Sequence, residues 1–285
     1  MDAQRHDDRS TPLLRCEEGR SVTRVLYSGG TAGRVPGRRR WLWPSLSLLL
    51  ALSCAPPGSP TRLTPADVRP GVHGRLYRPP GGGSHPAVIL LHGAGGIRPK
   101  QHAYAESLAA HGYVTLVLDY YAETGPAPAG SDRRLKLWPA WQETVRNAVT
   151  YLQKMRGVRP NHIGLVGFSR GAFLAVGTAG SLPAVKAVVA YYGGGGGGRT
   201  SLEDDARDLP PTLILHGDAD RVVPVSFAYA LHEALAARGR PVEIQIYPGA
   251  RHGFDIDQDP ERYDVRATED ARRRTLAFLE RQLGP

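Results

Sequence analysis

The chain of 285 residues reads as an α/β protein, a mostly parallel sheet with helices on both faces. Two observations predict this class. Short apolar runs such as Ala87 to Leu91, bounded by Pro86 and Gly93, have the character of strands buried on both faces, as parallel strands are. Helical segments closed by Gly112, Gly157 and Gly239 alternate with those runs, and such alternation builds a parallel sheet through right-handed crossovers.

Val72 to Tyr77 alternates weakly and predicts an edge strand, followed by the turn PPGGGSHP and the strand 87–91. Ala103 to Ala110 predicts a helix, YVTLVLDYY a strand, and Trp141 to Met155 a longer helix. HIGLVGF is a strand that passes directly into a helix from Arg170. AVKAVVAYY and PTLILHG are strands, Ser226 to Arg238 a helix, VEIQIYP a strand, and Arg266 to Leu283 the closing helix. Two segments lack periodicity: the Pro- and Gly-rich stretch Tyr121 to Asp132, and six consecutive glycines, Gly193 to Gly198. Both follow predicted strands, where ligand-contacting loops occur in open α/β sheets. The glycine run by itself reads as a low-complexity tract tolerated in a surface loop.

Composition divides the chain. Residues 1–55 read as a leader with a signal or lipoprotein-type segment, 56–70 as a Pro-, Thr- and Ser-rich linker, and 71–285 as one domain, long enough for a sizeable core. The net charge of +9 comes from 32 Arg against 4 Lys, a skew typical of GC-rich coding rather than of phosphate binding. No basic stripe with interleaved aromatics is present, so nucleic acid is not an expected partner. Cys16 and Cys54 both precede the domain, which leaves it without cysteines for a disulfide framework or a Cys-based zinc site.

In the leader, Arg38 to Arg40 precede a short apolar run, Leu46 to Leu52, that ends in small residues before Cys54. This is the arrangement of a secretory signal and is too short for a bilayer span. Ala51-Leu52-Ser53-Cys54 resembles a bacterial lipoprotein cleavage box, which makes Cys54 the lipidation candidate. The expected location is the periplasm or cell envelope, with a membrane tether through the N-terminus, or the cytoplasm where the signal does not function.

Gly167-Phe168-Ser169-Arg170-Gly171 is a weak signal alone. Set between a strand and a helix, it becomes the sharp turn that lifts a serine Oγ clear of the backbone. A serine hydroxyl needs a base. Among the downstream histidines, His216 ends a strand, His232 lies inside a helix, and His252 falls on the loop after the last predicted strand. His252 is therefore the candidate base. HGDADRVVP offers Asp218 and Asp220; Asp220 begins the tighter turn and is the candidate orienting acid, and Asp218 is expected to bond turn amides. For the oxyanion, the candidate donors are the backbone N–H of Arg170 and that of Ala94, within His92-Gly93-Ala94-Gly95-Gly96. Tyr121 and Tyr192, each the second of a strand-end Tyr pair, are candidate pocket residues. Asp255 to Pro260, DIDQDP, starts like a calcium loop but lacks the glycine and the Glu that such a loop needs. It is expected to be a solvated acidic loop, and neither a metal nor a cofactor is expected.

The stretches AVILLHGAGG, LDYYAE, IGLVGFSRGA, VVAYYGG, LILHGDADRVVP and YPGARHGF, in this order, resemble the dienelactone hydrolase family of the α/β-hydrolase fold, over about residues 70–283. The resemblance implies Ser169 as nucleophile, Asp220 and His252 as its partners, and the amides of Ala94 and Arg170 as the oxyanion hole. It also carries departures. Members acting on dienelactone have cysteine where this chain has Ser169, glutamate where it has Gly93, and a carboxylate-binding arginine where it has Ile256. These argue against dienelactone as substrate and for a serine esterase or lactonase acting on a less acidic acyl compound. The competing readings are an acyltransferase, thioesterase or peptidase using the same triad, and a non-catalytic binding lipoprotein. Oligomeric state is not legible.

Overall fold

A computed structural model describes residues 61–62, 72–198, 200–256 and 258–284. The strands are β1 (Thr61–Arg62), β2 (Gly74–Tyr77), β3 (His85–Leu91), β4 (Val114–Leu118), β5 (Val158–Phe168), β6 (Val185–Tyr191), β7 (Thr212–Gly217) and β8 (Val242–Tyr247). The helices are α1 (Pro99–Ala110), α2 (Asp132–Gln153), α3 (Arg170–Ala179), α4 (Leu202–Arg207), α5 (Ser226–Ala236) and α6 (Val265–Leu283). The strands form one sheet in the order β1-β2-β4-β3-β5-β6-β7-β8. Pairing is parallel from β4 through β8, while β1 and β2 join antiparallel at one end.

The two faces separate cleanly because side chains alternate along each strand. Ile89, Leu91, Val188 and Ile214 face a layer that includes Trp141 and Val149 of α2, Leu174 of α3, Ala206 of α4 and Leu231 of α5. Val88, Leu90, Val189 and Leu215 face Leu108 of α1 and Phe278 and Leu279 of α6. The central strands β3 to β7 thus carry apolar residues toward both layers along their buried stretches, which is the pattern that marked them in the sequence.

Several boundaries differ from expectation, each for a local reason. Helix α2 starts at Asp132, nine residues before the predicted Trp141, and carries Pro139 inside it. Proline argues against a helix interior, but Ser131 caps the helix by accepting from the Arg134 N–H. Pro139, the eighth residue of the helix, costs one intrahelical bond while Trp138 and Trp141 of the same helix are buried. Helix α4 was not legible: it has six residues, four of them charged. Strand β2 is not the sheet edge, because Thr61 and Arg62, inside the stretch read as a linker, pair with Leu76 and Arg75. The leader, Cys16 and Cys54 lie outside the described residues, and among the described residues no helix is long and apolar enough to cross a membrane.

Candidate active site

Four loops at the C-terminal ends of the parallel strands meet at Ser169. The nucleophile-type turn follows β5. Ser169 has φ 53°, a conformation disfavoured for a residue with a side chain, and its N–H is held by the Tyr191 carbonyl at 2.9 Å. The flanking glycines make the turn sterically feasible. A Cβ on Gly167 would lie 2.3 Å from the Gly171 oxygen, and one on Gly171 would lie 2.2 Å from the Leu91 oxygen. Both positions exclude any side chain.

The loop after β8 brings His252 to Ser169, and the loop after β7 brings Asp220 to His252. The Ser169 hydroxyl donates to His252 Nε2 at 3.0 Å, and His252 Nδ1–H donates to Asp220 Oδ2 at 2.7 Å. The carboxylate fixes the tautomer, leaving the Nε2 lone pair facing the serine. The other oxygen of Asp220 accepts from the Val222 and Val223 N–H groups, each at 2.8 Å. Burial pushes the Asp220 carboxyl up, but the His216, His252 and Val223 hydrogen bonds outweigh it and hold the group well below the usual range. Asp218 instead accepts from the Gly249 N–H at 2.6 Å, which fastens the His252 loop to the Asp220 loop. His216, buried, points Nε2 at the Val223 carbonyl at 2.9 Å and lies 3.3 Å from Asp220 Oδ2. This support for Asp220 was visible in HGDAD only as a histidine four residues before the acid.

The loop after β3 abuts the turn: a Cβ on Gly93 would sit 3.5 Å from Ser169 Cβ. His92 holds this loop by donating from Nδ1 to the Gly93 carbonyl at 2.8 Å, with its ring stacked 4.1 Å from that of Tyr120. Ala94 and Arg170, the residues whose backbone N–H groups are the candidate oxyanion donors, line the same cavity as Ser169 and His252. The cavity is about 520 Å³, within the range of small-molecule sites.

Tyr192 lines this cavity, but Tyr121 does not. Tyr121 is buried behind the Ala94 loop, where its hydroxyl accepts from Arg170 Nη1 at 2.7 Å. The Arg170 guanidinium, for which the sequence suggested no role, also donates to the Ala127 carbonyl at 2.7 Å and so ties the 121–131 loop to α3.

The glycine run is not a slack surface tract. Gly193, Gly194 and Gly195 are buried, and Gly196 and Gly197 line the cavity. A Cβ on Gly193 would lie 2.5 Å from Ala172 Cβ, one on Gly197 2.6 Å from Phe173, and one on Gly198 2.2 Å from Trp138 Nε1. The buried Asp205 of α4 accepts from the Gly196 N–H at 2.8 Å, and Arg134 donates to the Gly197 carbonyl. The run is therefore pinned, and aromatic rings pack directly on its backbone. Asp255 also departs from expectation: it is 6% exposed and pairs with Lys100 at 2.6 Å, so the 255–260 stretch is not a wholly solvated acidic loop. Among the described residues, no group of His, Cys, Asp and Glu side chains could hold a metal ion. The cavity lining contains Arg98, Lys100, Arg134, Arg170 and Arg262 and no Asp or Glu, a charge pattern spread over distant segments and so not readable from any one motif.

This sheet order, with a strained serine after β5 and a histidine after β8, defines an α/β-hydrolase. Residues 72–283 match the dienelactone hydrolase family, well over half of the chain, and the chain belongs to that family of hydrolases. A carboxymethylenebutenolidase homolog of Xenopus tropicalis is 26% identical over 212 residues, spanning 69% of this chain and 82% of that protein. Among solved structures, a dienelactone hydrolase-like promiscuous phosphotriesterase from metagenomic libraries, P91, superposes with a TM-score of 0.67 at 18% identity, over 79% of this chain and 99% of its own. Esterase PE8 does so with a TM-score of 0.59 at 23% identity, over 74% and 99% of the two chains. These two likenesses concern the fold.

Proposed function

We propose that the protein is a serine hydrolase that cleaves a carboxylic ester or lactone through an acyl-enzyme on Ser169. The observation that carries this reading is the continuous hydrogen-bonded chain Ser169–His252–Asp220 opening on a cavity of small-molecule size. His252 Nε2 takes the hydroxyl proton as Oγ attacks the carbonyl carbon, and Asp220 stabilises the imidazolium that results. The Ala94 and Arg170 N–H groups receive the oxyanion. Collapse of the tetrahedral intermediate expels the alkoxide, which takes the proton from His252. A water then gives its proton to His252 and attacks the acyl carbon, releasing the acid and restoring Ser169. The name of the Xenopus relative, a carboxymethylenebutenolidase homolog, supports a lactone among the substrates.

Arg98, Arg134 and Arg262 also line the cavity, which supports a substrate with an anionic group as a second reading beside the less acidic acyl compound that the sequence suggested. Two tests follow. Full-length protein is treated with a fluorophosphonate probe beside Ser169→Ala; label on Ser169 that is lost in the variant is expected, and equal labelling of both would refute the nucleophile. Hydrolysis of p-nitrophenyl hemisuccinate and p-nitrophenyl butyrate is then compared, with the lower KM expected for the charged ester.

Export, with lipidation at Cys54, is proposed on the leader residues quoted above. Mass spectrometry of the mature N-terminus from an envelope fraction decides it, since an unmodified start at any other residue removes the anchor.

A further inference from the structure

We propose that Lys100 is a positioning residue: through a buried contact with Asp255 and Tyr192 it locks the His252 loop and the Ser169 turn into one arrangement. The proposal rests on the reading of Ser169 and His252 as nucleophile and base. Lys100 lies in the first turn of α1, which follows the Ala94 loop, and its side chain is 5% exposed. Its ammonium donates to Asp255 Oδ1 at 2.6 Å and to the Tyr192 hydroxyl at 2.8 Å, and that hydroxyl donates to the same Oδ1 at 2.6 Å. The three polar heads close a triangle. Each corner belongs to a different part of the site.

Asp255 stands three residues after His252 on one loop. Tyr192 directly follows β6 with φ 37°, and its ring meets the His252 imidazole edge-on at 5.0 Å. The ammonium also lies 4.9 Å over the ring of Phe168, the residue before Ser169. Ser169 and Tyr192 are the two non-glycine residues with positive φ among those described, and such strain persists only where surrounding contacts over-determine it. Lys100 supplies contacts at both places.

Stability does not account for this lysine. A cation in the first turn of a helix opposes the helix dipole, and Arg98 and Arg272 repel it further. Burial pushes its ammonium below the usual lysine range, and the neighbouring Asp255 carboxylate works against that shift. A buried ion pair is commonly replaceable by apolar residues without loss of stability. Its remaining contribution is geometric, since misplacement of a base by about 1 Å costs on the order of 100-fold in rate.

The test is the full-length triple variant K100M/Y192F/D255L, which removes all three polar heads and leaves none orphaned. It is expected to melt cooperatively, with residues 252–256 displaced in its crystal structure, His252 Nδ1 beyond hydrogen-bond reach of Asp220, and fluorophosphonate labelling of Ser169 slowed at least ~10-fold. An unchanged His252–Asp220 hydrogen bond, or labelling within ~3-fold of wild type despite a moved loop, overturns the proposal. If the triple variant does not fold, K100M/D255N, which keeps an acceptor for Tyr192, is measured by the same criteria. If wild type itself is not labelled, the Ser169 reading has failed, and the His252–Asp220 distance alone decides the role of Lys100.

Discussion

Asp220 carries two backbone N–H groups on one oxygen and an imidazole on the other, so its charged form is stabilised only in the folded protein. A carboxyl depressed on folding contributes stability that is complete above the ordinary carboxylate pKa and is lost as pH falls toward the folded value. Thermal melts of wild type and Asp220→Asn are therefore expected to differ by a constant amount above about pH 5 and to draw together only as pH falls below about 4. Asparagine also turns the imidazole to the wrong tautomer, and kcat on an activated ester is expected to drop by about 10⁴-fold with little change in KM. The turn glycines give a second residue-scale expectation. Gly171→Ala places a Cβ 2.2 Å from the Leu91 oxygen, against backbone. Urea unfolding is expected to show a loss of at least ~2 kcal/mol, in the range of overpacked cores.

At the scale of elements, the cavity wall is made by α2, α3 and the glycine run acting together. Trp138 of α2 and Phe173 of α3 approach the run where Gly198 and Gly197 leave space, and Phe173 meets Phe227 of α5 edge-on at 5.7 Å. Gly197→Ala must push Phe173 aside into the cavity or the adjoining packing. Across a series of p-nitrophenyl esters, this variant is expected to lose rate on long acyl chains before short ones. Equal loss along the series would show that the ring moves away from the acyl site. Asp205 holds the run from below through the Gly196 N–H. Asp205→Ala is expected to release it, visible as faster amide exchange at residues 193–198.

For the whole molecule, one sheet carries two separate apolar layers, and α6 closes the layer that faces away from the glycine run. Phe278 of α6 is 1% exposed within that layer. Phe278→Ala is expected to cost about 3–5 kcal/mol, read by denaturant midpoint, while the surviving folded fraction keeps its labelling rate because α6 does not line the cavity. The class of the fold was legible because the central stretches of β3 to β7, such as 87–91, 163–168 and 187–191, are buried on both faces and so are largely apolar. The antiparallel end, β1 and β2, was less so, since a two-residue strand leaves no periodicity. The start of α2 was hidden by Pro139, whose penalty is local and is overridden by the burial of Trp138 and Trp141.

Sequence by itself determined the order of the candidate groups along the chain: a serine between strand and helix, an acid and a histidine each on a later loop, and glycines where backbones must touch. Such features are local, because a tight turn or a cap is dictated by neighbours along the chain. Tertiary structure alone decided which groups meet across the chain. Lys100 reaches Asp255 over 155 positions and Tyr192 over 92, Arg170 turns its guanidinium to Tyr121, and the glycine run takes the rings of Phe173 and Trp138 against its backbone. Each depends on the distances between elements set by packing of the two layers, and no pattern of neighbouring residues encodes those distances.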